Sequence, residues 1–176
     1  MLNIILILIA FVVIVALILA ARKPDHFTVT RTGTIAAPAS AIFPHVDNLH
    51  KWDAWSPWAK LDPNAKNSFE GPESGVGAKM SWAGNNKVGV GSMTISESQP
   101  NDYIRFKLEF LKPMKASNTA EFAFKQDGDQ TIVTWSMSGT NNLMAKIFGL
   151  FMDCDKMVGG QFEQGLAALK SIVEPK

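Results

Sequence analysis

The sequence predicts an α+β domain, an antiparallel sheet packed against a long C-terminal helix and preceded by one transmembrane helix. Three patterns lead there. Residues Ile4 to Ala21 are only Ile, Leu, Val, Ala and Phe. From Phe27 to Ser138 the chain is dominated by period-two alternation broken at Gly, Pro, Asn and Asp, the mark of strands joined by turns. Near the end, Val158, Phe162, Leu166, Leu169 and Val173 recur at steps of three or four, the stripe of a helix lying on a sheet.

The apolar run comes first. As a helix rising ~1.5 Å per residue it would extend roughly 27 Å, about the hydrocarbon thickness of a bilayer. A cleaved signal peptide would need a basic start, a shorter apolar core and small residues before the cut. Here nothing basic precedes Ile4 but the α-amino group, and Ile18 or Leu19 occupies the position where a small residue is needed. Residues 1–21 therefore read as an uncleaved anchor, 22–26 ("RKPDH") as a linker and 27–176 as one folded domain. Arg22 and Lys23 follow the anchor and no Lys or Arg precedes it, which predicts a cytoplasmic domain.

Phe27, Val29, Arg31, Gly33 and Ile35 alternate with four threonines, as in a strand with one wet face. "APASAIFPHVDNLHKW" reads as a helix opened by Pro38 and interrupted near Pro44, with Ile42, Phe43, Val46 and Leu49 as its stripe. "HKWDAWSPW" then places Trp52, Trp55 and Trp58 at steps of three, one aromatic ridge in either an α or a 3₁₀ turn. Pro57 disfavours a helical Ser56, so the ridge should run from a helical turn into an extended corner. Six strands follow, in "NSFEG", "AKMSWA", "VGVGSMTISES", "YIRFKLEF", "TAEFAF" and "TIVTWSMS", predicting a meander with one dry face. Asn141 or Asn142 can cap "LMAKIFGLFMD", apolar on almost every side. Gly159, Gly160 and Gly165 each cost a helix on the order of 1 kcal/mol relative to Ala. Close approach to the sheet would account for them, and so would a break between two helical segments.

Charge and composition exclude several functions. The net charge of +1 lies wholly after the anchor and forms no basic stripe, which excludes a nucleic-acid binder. Cys154 is the only cysteine, so no internal disulfide is possible, and Asp153 and Asp155 beside it favour an inert thiol. The three histidines are scattered without HxxxH or CxxC spacing, so no metal site is expected. "GVGVGS" lies in a strand with no helix after it, so neither a phosphate cradle nor a cofactor is expected. Arg105, Lys107, Glu109 and Glu121 fall on the wet parity. His45 and Asp53 could form an acid–base dyad near the ridge, although surface and capping roles are the plainer reading.

The segments "IAAPASAIFPHVDNLHKWDAWSPW", "GPESGVGAKMSWAGNNKVGVGSMTI" and "KMVGGQFEQGLAALKSIV" resemble the polyketide cyclase/dehydrase and lipid-transport family of the START-like (SRPBCC) superfamily, in bacterial forms with an N-terminal membrane helix. The resemblance covers Phe27 to Val173. It implies a helix-grip (START-like) fold, a curved antiparallel sheet wrapped around the long C-terminal helix with a deep apolar cavity between them. It does not fix function, since the superfamily includes carriers, cyclases and co-chaperones.

For this chain the expected cavity lining is Trp55, Trp58, Met80, Trp82, Met93, Ile95, Phe106, Leu108, Phe110, Phe122, Phe124, Trp135, Met137, Phe151 and Phe162, with Phe148 and Met152 beside them. Singly each reads as core, and together they suit an adaptable apolar pocket. The fold would place the tryptophan ridge near the entrance, as a plug or as a rim whose indole N–H groups orient a polar head. The leading function is a membrane-tethered, non-catalytic binder of an apolar small molecule or lipid. A cyclase or dehydratase would need at least one Asp, Glu, His or Tyr buried in the cavity. An interaction protein would have a filled cavity and dock "LMAKIFGLFM" on a partner or bilayer.

Overall fold

A computed structural model describes residues 2 to 174, so Met1, Pro175 and Lys176, the last two included in the expected domain, lie outside the described residues. Helix α1 spans Leu2–Ala21 and is long and apolar enough to cross a membrane. The strands are β1 (His26–Ile35), β2 (Lys66–Glu70), β3 (Lys79–Ala83), β4 (Val90–Gln99), β5 (Tyr103–Lys112), β6 (Ala116–Asp127) and β7 (Gln130–Thr140). They form one antiparallel sheet in the order β1-β7-β6-β5-β4-β3-β2, so the first strand closes on the last and the meander unrolls from there. Between β1 and β2 come α2 (Ala39–Asp47), a 3₁₀ turn (Leu49–Ala54) and α3 (Pro57–Leu61); after β7 come α4 (Leu143–Phe148) and α5 (Cys154–Val173).

The alternation in β5 partitions as its sequence demands, with Ile104, Phe106 and Leu108 buried and Arg105 and Lys107 in solvent. Strand β4 starts at Val90 rather than Val88, because Gly89 adopts φ +73°, outside the strand region, to turn the chain. Helix α2 is not interrupted at Pro44 but continues through it to Asp47. Pro38 offers α2 no capping side chain, and Gln126 of β6 supplies one from a distance, its Oε1 accepting the Ala39 N–H at 3.0 Å. Asn142 caps α4 through the Ala145 N–H at 2.9 Å, and Asp153 caps α5 through the Lys156 N–H at 3.1 Å.

Helix α5 is continuous, and two of its three glycines mark close approaches. It lies along β1 in the same direction, with Arg31 of the strand binding Asp155 at 2.8 Å and Glu163 at 2.7 Å. Those carboxylates raise the Arg31 guanidinium well above its ordinary pKa. A Cβ on Gly159 would collide with that guanidinium, and one on Gly165 would stand 2.7 Å from Cζ3 of Trp135. Gly160 faces open space, and a Cβ there would meet nothing within 4 Å. Gly165→Ala is therefore expected to destabilise the domain by ~1–3 kcal/mol through overpacking. Gly160→Ala should stabilise it by roughly 0.4–1 kcal/mol through the unfolded chain. Urea denaturation followed by circular dichroism checks both, and equal effects would show that helix propensity alone governs these positions.

Candidate functional site: an apolar cavity in the grip

The inner face of the sheet is filled unequally along its strands. At one end α2 packs on β6, with Phe43 edge-on to Phe124 at 5.5 Å and both rings buried. In the middle the tryptophan ridge turns inward. Trp52 and Trp55 are buried, Ser56 is extended at φ −60°, ψ 127°, and Pro57 opens α3. Trp135 of β7 stacks on Phe162 of α5 at 4.1 Å and 12°, and Trp55 and Trp58 meet it edge-on at 5.6 and 5.7 Å. Beyond this cluster, toward the other end of the strands, lies a cavity of about 580 Å³.

Its wall includes ten of the expected residues: Trp58, Met80, Trp82, Met93, Phe106, Leu108, Phe110, Trp135, Met137 and Phe162. Trp55, Ile95, Phe122 and Phe124 share their face but lie behind the wall, fully packed where the ridge and α2 fill the grip. Phe151 is a clear correction. Gly149 ends α4, so helical periodicity stops before it can carry Phe151 inward, and that ring is 80% exposed. Phe148 and Met152 are likewise exposed. Trp52, Ala120 and Val158 join the wall; Trp52 was legible as part of the ridge and Val158 as part of the α5 stripe.

The ridge is the floor of this cavity rather than its rim. Two of its indole N–H groups are committed to the carbonyls that end α2, Trp52 to Val46 at 2.8 Å and Trp55 to His45 at 3.0 Å, and cannot orient a ligand. The exposed wall residues Asn67, Asn86, Lys87, Lys112 and Pro113 mark the mouth, at the opposite end. Asp62 shapes that mouth by accepting the Asn85 N–H at 2.6 Å, and Asp53 there accepts a bond from Asn67 Nδ2 at 3.1 Å.

Acid–base groups are sparse around the cavity. Of the His45 and Asp53 pair only Asp53 reaches the wall. The sole tyrosine, Tyr103, is outside the cavity and donates to Glu121 beside Arg105; burial and then that carboxylate push its phenol up to about 12. Burial first, then Asp153 and Asp155, raise the Cys154 thiol. Among the described residues no three His, Cys, Asp or Glu side chains converge as a metal site.

A family model described as "Polyketide cyclase / dehydrase and lipid transport" matches residues 26–174. No curated protein matches the chain. Solved structures of similar fold include protein CV1439 from Chromobacterium violaceum, 14% identical with a TM-score of 0.61 over 88% of this chain and 100% of that one. The Aha1 dimer from Colwellia psychrerythraea is 16% identical, TM-score 0.60, over 84% and 96%. The di-domain ARO/CYC BexL from the BE-7585A biosynthetic pathway is 15% identical, TM-score 0.63, over 90% of this chain and 53% of that one. At such identities the likeness establishes the fold alone.

One titration reports on the floor. Burial, and secondarily the charge of Lys51, hold the His45 imidazole below its ordinary 6.5. The unfolded chain then takes up this proton first, so stability falls as pH drops below 6.5 and through the folded value. His45→Gln, which keeps the backbone carbonyl that Trp55 uses, is expected to flatten that part of the stability–pH curve. An unchanged slope would mean that His45 is solvated.

Proposed function

The chain belongs to the polyketide cyclase / dehydrase and lipid transport family, and from that premise we propose that it is a membrane-tethered module that binds an apolar small molecule or lipid in the cavity between sheet and α5. The observation that carries this reading is the cavity's composition. Its interior is Met, Phe, Leu, Val, Ala and Trp with the buried Ser56 as its one polar residue among those described, while the charged and amide side chains stand toward the mouth, the distribution that holds an apolar body and leaves a polar end wet. A volume of about 580 Å³ falls within the range of small-molecule sites, which weighs against a domain filled by its own side chains. The enzyme reading has less support, since the ionisable groups on the wall among the described residues, Asp53, Asp62, Lys87 and Lys112, stand at its solvent-facing edge.

Four of the five tryptophans, Trp52, Trp58, Trp82 and Trp135, line the cavity, so intrinsic fluorescence reads occupancy directly. With the full chain in nanodiscs, fatty acids, isoprenoids and aromatic polyketides are expected to change emission saturably. Affinity should rise with apolar area by about 25 cal/mol per Å². Ala120, which pairs across the sheet with Phe106 and Met137, is the place to block the cavity. Ala120→Phe should weaken binding about tenfold or more, equivalent to ~1.4 kcal/mol. Absence of a saturable response to all three ligand classes would refute the proposal.

In this reading α1 is the tether and the domain faces the cytoplasm, supported by Arg22 and Lys23 at the end of α1. A reporter fused to the C-terminus is expected to be active only inside the cytoplasm; activity only outside it would reverse the orientation.

A further inference from the structure

The strand registers place several distant features at one end of the sheet. His26 pairs with Thr140, Gly139 with Asn118, Ala116 with Phe110, Lys112 with Val90, and Val90 with Ala83. The start of β1, the end of β7, and the β3–β4 and β5–β6 loops therefore share an end. Because α5 runs in the same direction as β1, its first turn is there too. The mouth of the cavity is at this end, and so is the junction with α1.

Exposed apolar side chains gather there as well. Outside α1, the large apolar residues exposed among the described residues are Val76 and Ile172 elsewhere, and at this end Leu111, Met114, Leu143, Met144, Phe148, Phe151, Met152 and Met157. Most of them belong to α4 and the turn after it. A patch of this kind, concentrated rather than scattered, marks an interaction surface.

What covers it follows from its attachment to α1. Helix α1 packs against α4, and among the described residues of α1 those that lose exposure, Ala16 and Ala20, lie one turn apart on one face. Three polar contacts fix this arrangement. Asn141 donates from its backbone to the Asp25 carbonyl at 2.8 Å and from its side chain to the Pro24 carbonyl at 3.1 Å, while Lys146 of α4, its side chain only 11% exposed, binds the Asp25 carboxylate. With Ala21 as the end of α1, Ala16 is about 8 Å along the axis from it at ~1.5 Å per residue. That is the depth at which interfacial helices rest, between headgroups and acyl chains.

We propose that residues 143–152, α4 and its following turn, form a second membrane contact that lies in the bilayer interface beside α1 and holds the cavity mouth toward the lipid surface. The inference rests on the reading of α1 as a tether. The occupant is the bilayer, because the same end of the domain that carries the patch is bound to a helix suited to span it. Rotation of the domain about its linker is restrained, and a ligand leaving the lipid phase meets the mouth without crossing bulk water.

The test uses the full chain in phosphatidylcholine vesicles, in a Cys154→Ser background, with an environment-sensitive fluorophore on Phe151→Cys or, at the far end of the sheet, on Asp129→Cys. The probe at position 151 is expected to shift to the blue, to be quenched several-fold more by spin-labelled lipid than the probe at 129, and to resist aqueous iodide. Quenching of position 151 by iodide as strong as at 129 would overturn the proposal. So would protection from iodide without quenching by lipid, since the face would then be covered by another protein or a second copy. Ligand titration by tryptophan fluorescence on the unlabelled chain in the same vesicles is independent of this readout. Lost seating with intact binding removes only the interfacial contact, and intact seating with no binding removes only the cavity function.

Discussion

The stacking of Trp135 on Phe162, rings 4.1 Å apart and nearly parallel, is the contact on which the interior depends. It sets how closely α5 approaches the sheet, and it exists because Gly165, one turn on from the phenylalanine, leaves room for the indole. A side chain there would hold helix and strand apart. With the spacing fixed, Trp55 and Trp58 can close edge-on around the same indole, and Phe122 tilts against it at 4.6 Å. Such edge-on pairs contribute roughly 0.5–1.5 kcal/mol each beyond area burial. The cluster is thus a stiff partition across the grip, and the helix is further held to β1 by Arg31 between Asp155 and Glu163.

A partition at that place divides one dry face into two environments. Toward α2, side chains such as Ile104, Phe124 and Val133 meet others and fill the volume. Toward the mouth, α5 leans on β1 and α3, and Met80, Met93, Leu108 and Met137 are left lining space. Three methionines on that wall give it side chains that readjust at little cost, which suits contents of variable shape. The cavity is in this sense a consequence of where the large rings are spent, since the same face could be solid had the ridge stood nearer the mouth.

This explains which parts were legible in the sequence. Parity identifies the face of a strand but not the position along it that a neighbouring element covers. Phe106 and Phe122 carry the same signal in their strands, yet one borders space and the other is enclosed, and the difference depends on α2 and the ridge, which are remote in sequence. The strands of the meander, the long helix and the apolar N-terminal run were readable because each is a local periodicity, whereas the pairing of β1 with β7 joins the two ends of the domain and has no local signal. Gly159 and Gly165 were readable as anomalies, and only the fold names Arg31 and Trp135 as their causes. The segment after β7 misled for the opposite reason. Its apolarity on every side suggested burial, whereas the helix stops at Gly149 and leaves Phe151 outside.

The two apolar surfaces of this chain answer to different physical demands. The cavity wall is concave, rigidly backed by the sheet and rimmed by polar groups, so a molecule occupying it is recognised largely by shape and apolar area. The surface of α4 is convex and backed by α1, with Asn141, Lys146 and Asp25 bonded beneath it, so it suits a fluid partner that conforms to it. Placing both at one end of the sheet would be costly in a freely diffusing protein, where exposed apolar area promotes association. Beside a bilayer that cost is largely removed, and a tether raises the local concentration of membrane-dissolved ligands without adding any contact to them. Under the proposed function, a cavity of modest intrinsic affinity is then sufficient, because the helix rather than the binding site supplies the encounter.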